Sequence, residues 1–514
     1  MISDGQEPIL PWYNVPACES TPRDCCSRFS SGLSLPFKKK FISVDLKTMA
    51  VVTNDQRLTT NDQRPMTKYG RSPWLEAFPR SRVPAYPRQR GDMQTEAVIV
   101  GGGLTGCTTA YAFAAAGLKV LLLEADQIGR GVTAYSSGWI AEEPGVAFAD
   151  LETAVGLRGA RYAWQVWRRA ALDFISLLRR LDIKCHLEER GSALVAATPE
   201  QVARLRRDQK ARRGGGADVS MMNARAIKTD LGLDASAAIR SKHGATLDPY
   251  RACLGLAAAA ADRGAVLFER SPVRTITFNR KIATVMTANG RIRTKRVVVA
   301  TGMPTPLFKA LARHFWFHTT YAVQTEPVPA KIRQQIGFGR SAKASRLRSP
   351  EISASFGEAR RSAARAKAAR SSGASRPAQA SRSSAVVRDS AEPPHIIRWI
   401  EDDRILITGA DSEAIPPRLR DKVIVQRTGQ LMYELSTFYP EISGIPPDYG
   451  WAADYARTAE GLPYLGPHRN YPHHLFAFGD SSRSVTGAYL ASRILLRHHS
   501  GELDRGDDVF GFHR

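Results

Sequence analysis

The chain has 514 residues, 43% of them apolar, and a formal charge of +24. It is long enough for two or three domains with large cores, and it lacks any run of about 18 uninterrupted apolar residues that would span a membrane. Sixteen of the twenty-four charge units fall in residues 1–90 and 340–388. The charge therefore describes solvated segments better than a nucleic-acid surface, and nucleic acid is not an expected partner.

The N-terminus has no charged start followed by an apolar core, so it does not read as a secretory signal. The six cysteines, at 18, 25, 26, 107, 185 and 253, form no CxxC pair and no His/Cys set of metal spacing. A reduced, cytoplasmic chain without a metal site is expected. Residues 1–65 show no sustained period and read as a disordered or extraneous segment. Residues 66–91 read as an extended Pro/Arg-rich lead.

An α/β pattern follows. "EAVIV" (96–100) is a short apolar strand, "LTGCTTAYAFAAAG" (104–117) a small-residue helix and "KVLLLEAD" (119–126) a second buried strand. Helical spacing covers 160–181, and Thr198 followed by Glu200 and Gln201 marks a capped helix start over 198–213. Residues 248–302 read as one helix and then several strands around an Asn289-Gly290 turn. The stretch 345–385 is Ala/Arg/Ser-rich and too poor in large apolar residues to offset its ordering entropy, so 340–389 is expected to be a disordered basic insertion. A hairpin around Glu401–Asp403, a helix over about 416–438, a strand at 474–480 and a helix at 487–499 complete the chain.

Gly101, Gly103 and Gly106 follow a strand and open a helix. In that setting Gly101 permits a tight turn, Gly103 lets a pyrophosphate approach the backbone, and Gly106 lets the helix pack on the strand. Phosphates then sit at the positive helix end. Glu124 ends the second strand, where its carboxylate accepts ribose hydroxyls and repels a 2′-phosphate, which disfavours NADP. Three features favour FAD over NAD: the hydroxyl-rich loop 125–139 where another helix and strand would come, the strand "RVVVATG" (296–302), and the lack of a second GxGxxG.

With these motifs, and with "LDPYRACLGLAAAAADRGAVLFERSPVRTI" and "YGWAADYARTAEGLPYLGPH", the chain resembles the D-amino-acid oxidase family of FAD-dependent oxidoreductases, which includes glycine and sarcosine oxidases and γ-glutamylputrescine oxidoreductases. The resemblance covers about 92–338 and 390–512. It implies a Rossmann-like FAD-binding domain with a parallel sheet (92–150, 240–305 and 450–514) and a discontinuous α+β substrate domain with a mixed sheet (151–239, 306–339 and 390–449). It places the pyrophosphate over Gly101, Gly103, Leu104, Thr105 and Gly106, and the ribose at Glu124 with Ala125. It also implies flavin or phosphate contacts at Arg130, Thr133, Ser136, Ser137, Thr301 and Gly302, and adenine against the Val273 backbone. The segment 478–491 resembles the one that covers the flavin in relatives and matches it at Thr486 and Gly487, with Asp480, Ser481, Ser482 and Arg483 where glycines are usual; the resemblance implies cofactor contacts at Gly479, Ser482, Arg483 and Thr486. Neither 131–139 nor 451–461 contains a Cys or His, so non-covalent FAD is expected.

The activity implied is oxidation of a C–N bond of a small amine or amino acid by hydride transfer to flavin N5, with oxygen or another electron acceptor. The cofactor carries the hard step, and the protein orients the substrate. Arg457, Tyr455 and Tyr321 are the expected orienting residues, Arg457 as a carboxylate clamp. Tyr321 and His318 stand where they could face the same cavity, but an ordinary buried aromatic is the favoured reading of each, and a surface arginine is the other reading of Arg457. Two other readings stay open. One is a tRNA-modifying flavoprotein, which the basic segments would suit. The other is a redox-silent flavin-binding protein, suggested by Asp480–Arg483. Hydrolysis finds no support, because "GDSS" is not a G-x-S-x-G elbow.

Overall fold

The computed structural model describes residues 66–279, 281–336, 385–401, 403–479 and 485–513. The segment 1–65 and most of the basic stretch, 337–384, lie outside them. The lead holds β1 (Lys68–Tyr69) and α1 (Pro73–Glu76). The glycine-rich unit follows as β2 (Met93–Val100), α2 (Leu104–Ala115) and β3 (Val120–Leu123), then β4 (Trp139–Ala141) and α3 (Phe148–Arg180). Next come β5 (Glu188–Glu189), β6 (Ser192–Ala196), α4 (Pro199–Gly214), β7 (Val219–Asn223), α5 (Ala224–Leu231), β8 (Ala237–Ser241) and β9 (Gly244–Thr246). The chain continues with α6 (Pro249–Ala261), β10 (Val266–Phe268), β11 (Thr275–Asn279), β12 (Ile282–Met286), β13 (Arg291–Gly302), β14 (Trp316–Thr325) and α7 (Ala330–Gln335). The last part is β15 (Val386–Asp389), β16 (Ile396–Ile400), β17 (Arg404–Glu413), α8 (Arg420–Phe438), β18 (Pro447–Arg457), β19 (Tyr464–His468), β20 (Tyr471–Phe478) and α9 (Thr486–Ser500).

Two large sheets carry the architecture. The first runs β10-β3-β2-β13-β12-β11, with β20 beside β13 and β19 beside β20. Its β10, β3, β2, β13 and β20 are parallel neighbours. Alternation decides its faces. Ile99 and Leu122 pack under α2, α3, α6 and α9 in one core with Phe113, Phe174 and Ile494. Val98, Leu121 and Val297 turn to the other side, with Phe476 and Phe478. The second sheet is mixed, in the order β1-β18-β14-β17-β16-β15-β6-β8-β7. One of its faces is closed by Ile227 of α5 and Leu431 of α8, over Ile405, Ile407 and Ala452. The other face joins the first core through Ala322, Leu406 and Trp451. This arrangement bears out the expected α/β class.

Local signals set several boundaries. Thr198 and Gln201 form the expected capping box on α4. The helix expected over 160–181 starts earlier, at Phe148, with a kink at Gly156, where φ is 73°. The expected disorder of 340–389 fails at its C-terminal end. Val386–Asp389 is a strand paired with β6 and β16, and Val386 and Val387 are buried. Arg388, which composition assigned to a solvated basic run, is instead an ion-pair partner of buried Glu143. The boundary expected at 450 also shifts, because it cuts through β18, which belongs to the second sheet. The lead is held at both ends: β1 pairs with β18, and Gly91 N–H donates to Asn289 O at 3.0 Å.

Candidate active site

The glycine loop is a cradle that side chains would fill. Gly101 sits at φ 106°, and a Cβ there would meet Ala300 O at 2.7 Å. A Cβ on Gly106 would stand 1.8 Å from Gly101 O. Gly103 is the N-cap of α2, so the N–H groups of Leu104, Thr105 and Gly106 have no partner inside the helix. Thr133 Oγ1 accepts from Leu104 N at 2.9 Å, tying the loop after β3 to the helix end. That end is where a diphosphate would be held.

Glu124 stands at the end of β3, and its carboxylate Oε2 accepts from Gly102 N at 2.6 Å while Oε1 accepts from Asp126 N at 2.9 Å. Burial pushes its pKa up, and these N–H donors work against that shift. A carboxylate has lone pairs left after two such bonds, so it remains suited to ribose hydroxyls. Gly102, inside the same loop, packs against Glu124. Its Cβ would meet Ile128 Cδ1 at 2.5 Å and Glu124 Cβ at 2.9 Å. It is the second of the motif's four glycines. Beneath the loop, the Cys107 and Cys253 sulfurs lie 3.7 Å apart. The Cys253 thiol and burial together push Cys107 up, which leaves it an inert packing group.

The other expected cofactor residues divide. Ser271 N donates to Glu124 O, which brings the segment before Val273 alongside Glu124. Arg130 bonds Tyr250, and Ala125 is exposed beside Glu124. Ser136 Oγ accepts from Gly138 N at 3.2 Å, and Ser137 is buried. Thr301 Oγ1 donates to Met303 O, and Gly479 N donates to Gly302 O, so β13 and β20 end together. Thr486 Oγ1 donates to Ala141 O, which fixes the start of α9 on β4. Ser482 and Arg483 lie outside the described residues. The cradle, the helix end and the buried acidic strand end are in place for an FAD.

The second sheet turns one face toward this loop. Trp451 Nε1 donates to Tyr135 O at 3.0 Å. Residues two and four further along β18, Ala453 and Tyr455, share its face. The intervening residues face α8: Asp454 pairs with Arg420 at 2.8 Å, and a Cβ on Gly450 would meet Thr428 Oγ1 at 2.2 Å. Register then places β14. Thr320 lies opposite Ala453 and His318 opposite Tyr455, on the cofactor-side face. Tyr321 lies opposite Ala452, on the α8 side, where its hydroxyl stands 3.1 Å from Ser412 Oγ. Tyr321 is therefore not brought to the site, because one step along a strand reverses the face. Arg457 ends β18 exposed to solvent, and no clamp forms around it among the described residues.

What stands on that face instead is a carboxylate. The β14–β17 pairing shifts between Thr319 and Tyr321, so Ala410 and Asp411 together oppose Thr320. Ala410 takes φ 52°, a left-handed conformation that costs a non-glycine residue roughly 1–2 kcal/mol. The bulge swings Asp411 onto the cofactor-side face. There Thr320 Oγ1 donates to Asp411 Oδ1 at 2.7 Å, and Tyr455 Oη donates to Oδ2 at 2.5 Å. The His318 and Tyr455 rings stack 5.7 Å apart. The one sequence signal for this was Gly409 inside a strand pattern, which often marks a bulge. Deeper on the same face, Arg398 is buried and donates to Leu247 O at 3.1 Å. Burial and then the nearby Arg190 guanidinium work against its charge.

A separate cavity of about 480 Å³ opens beyond β4, lined by Glu142, Trp164, Arg168 and Asp218 among others. Burial pushes Glu142 up to about 7, against the His243 N–H and Arg168. The cavity lies away from the Asp411 cluster.

The family model described as FAD dependent oxidoreductase, DAO, matches residues 96–497. The chain is 24% identical over 417 residues to the probable oxidoreductase OrdL of Haemophilus influenzae, covering 79% of this chain and 83% of that protein. It is 23% identical to the gamma-glutamylputrescine oxidoreductase of Escherichia coli, covering 80% of this chain and 84% of that one. The fold is similar to the crystal structure of glycine oxidase from Geobacillus kaustophilus, with a TM-score of 0.59 at 17% identity, over 82% of this chain and 98% of that one. The match spans both the dinucleotide loop and the second sheet, and the chain belongs to the DAO family of FAD-dependent oxidoreductases.

Proposed function

We propose that the protein oxidises a C–N bond of a small amine or amino acid on FAD held without a covalent bond, by hydride transfer from the carbon that bears nitrogen. The observation that carries this reading is the face shared by Thr320, Asp411 and Tyr455, polar and half-buried, on the sheet that Trp451 ties to the loop after β3. Bound FAD supplies the hydride acceptor at flavin N5. The chain holds the substrate against it. Tyr455 and His318 offer ring faces, Thr320 and Tyr455 fix the carboxylate of Asp411, and the buried Trp139 and Trp451 exclude water. The relatives support the choice of substrate, since one is a gamma-glutamylputrescine oxidoreductase and another a glycine oxidase.

The test is anaerobic mixing of the purified yellow protein with an alkylamine, a diamine, glycine and N-methylglycine. At least one should bleach the flavin, and acid precipitation should release intact FAD into the supernatant. A flavin that stays oxidised with every amine contradicts the activity. A flavin that stays with the precipitate contradicts the non-covalent mode.

A further inference from the structure

We infer that the cavity beyond β4 is a second ligand site, separate from the flavin's, that takes a small alkylammonium ion on the Glu142 carboxylate. The inference goes beyond the proposed oxidation and does not depend on it. The cavity holds about 480 Å³, the size of a small-molecule site. Helical spacing builds one wall, because Trp164, Arg168 and Leu172 stand one turn apart along α3 and all line the cavity. Residues 215–219, from the end of α4 into β7, supply another. Glu142 follows β4 directly and is 8% exposed, so the cavity carries a buried carboxylate on a largely apolar wall.

That carboxylate is poorly partnered for its depth. Oε1 accepts from His243 N at 3.3 Å. Oε2 stands 3.5 Å from Arg168 Nε, which makes no hydrogen bond among the described residues. The Arg168 side chain is 38% exposed against 9% for Glu142, so solvent screens the longer partner. The neighbouring Glu143, by contrast, meets the guanidinium groups of both Arg212 and Arg388. The other charges around the cavity are engaged elsewhere. Arg212 also holds Asp208 at 2.6 Å, Arg169 pairs with Asp173 at 3.0 Å, and Asp218 pairs with Lys242 at 3.0 Å. Burial outweighs the His243 N–H and Arg168 and pushes Glu142 up to about 7. The missing partner is therefore a cation. A carboxylate keeps acceptor positions after one such bond, and an ammonium donates to it with strong charge-assisted bonds. Trp164, Leu172 and Val219 would cover the apolar body of the same ligand. An anionic ligand would meet Glu142 as a like charge.

The probe is tert-octylamine, which has no hydrogen on the carbon that bears nitrogen and so cannot pass a hydride to flavin. It is titrated by calorimetry into the FAD-loaded protein, beside its alcohol analogue and a carboxylate of matching shape. The amine should bind at least about tenfold more tightly than the alcohol, the scale of a charged contact, without perturbing the flavin absorption band. In Glu142→Gln that ratio should fall to about one. Ala217→Phe, which narrows the cavity from its wall, should weaken amine and alcohol alike severalfold. The amine stays an ammonium near neutral pH while Glu142 takes up a proton, so the preference for amine should weaken severalfold from about pH 8 to about pH 6 in the parent and not in the Gln variant. His243 is present in both proteins, so this comparison isolates Glu142. If Glu142→Gln does not load FAD, Ala217→Phe and the parent's pH profile decide. Equal binding of amine and alcohol in the parent, tightest binding by the carboxylate, binding seen only through the flavin band, or an unchanged preference in Glu142→Gln overturns the inference. Flavin bleaching by oxidisable amines is scored separately, so the proposed activity stands or falls by itself.

Discussion

Gly101–Gly106 follows the end of β2, whereas the Thr320–Asp411–Tyr455 cluster lies within β14, β17 and β18, and the two are assembled differently. The first closes on itself: a strand, a turn and a helix start, with Glu124 at the next strand's end accepting from Gly102 N. The second draws on three strands, and its hydrogen bonds join residues 91 and 44 positions apart. The cofactor loop depends on local backbone geometry that few sequences can supply. The cluster depends on register and on one bulge. A site of the first kind is fixed by residue type, and a site of the second kind by what the neighbouring strands do.

The largest expected effect falls on a buried ion-pair network outside both regions. Glu143, just past β4, is 2% exposed and pairs with Arg212 of α4 and Arg388 of β15. Asp208 supports Arg212 at 2.6 Å. Removing one partner of a buried ion pair leaves the others uncompensated, so Glu143→Ala should destabilise the fold by about 3–5 kcal/mol. Chemical denaturation of the FAD-loaded protein measures it. A loss under about 1 kcal/mol, the range of exposed pairs, would mean that burial does not make this network matter to the fold.

Gly106→Ala comes next and acts on the loop alone. Its Cβ has no room beside Gly101 O, and overpacking of this kind costs about 1–3 kcal/mol. FAD stoichiometry should fall to a small fraction while far-UV circular dichroism stays close to the parent's. Full FAD loading in this variant would remove the close approach from the account.

The loop was legible because each of its demands shows as a residue type at fixed spacing. Much of the sheet was not. Tyr321 and His318 differ by an odd number of steps along one strand, and nothing in "HTTY" says which of them faces the cofactor side until β14 is paired with β18. Asp411 sat unmarked in "ITGADSE", because a bulge is a property of two strands. Val386–Asp389 was hidden by the composition that precedes it, although its four residues supply a strand and the buried Arg388. Arg457 has the chemistry of a carboxylate clamp, but it ends β18 and is exposed there.

The smallest expected effect lies on the sheet's other side. His395 Nδ1 stands 2.7 Å from Asp389 Oδ2, and Nε2 stands 2.9 Å from Glu434 Oε2. Burial works against its charge, the two carboxylates outweigh burial, and its pKa is raised. A raised folded-state pKa stabilises the fold fully below the ordinary histidine value near 6.5, and that contribution is lost as pH rises through the folded-state value. His395→Gln should therefore reduce stability, by about 1 kcal/mol, on the acid side of that window, and the difference should shrink as pH rises. Melting temperatures across pH check the sign. A gap that widens with pH would show that the imidazole is neutral in the fold.

One measurement weighs the loop against the wall directly: anaerobic reduction of bound flavin by an alkylamine in the parent, in Glu124→Ala and in Asp411→Asn. The parent's flavin should bleach. Glu124→Ala should carry less FAD, but what it carries should still bleach. Asp411→Asn should carry the full complement and need at least about tenfold more amine to reach the same rate. Flavin that stays oxidised in the parent with every amine, or an Asp411→Asn protein that bleaches like the parent while Glu124→Ala keeps its full FAD, would contradict the account.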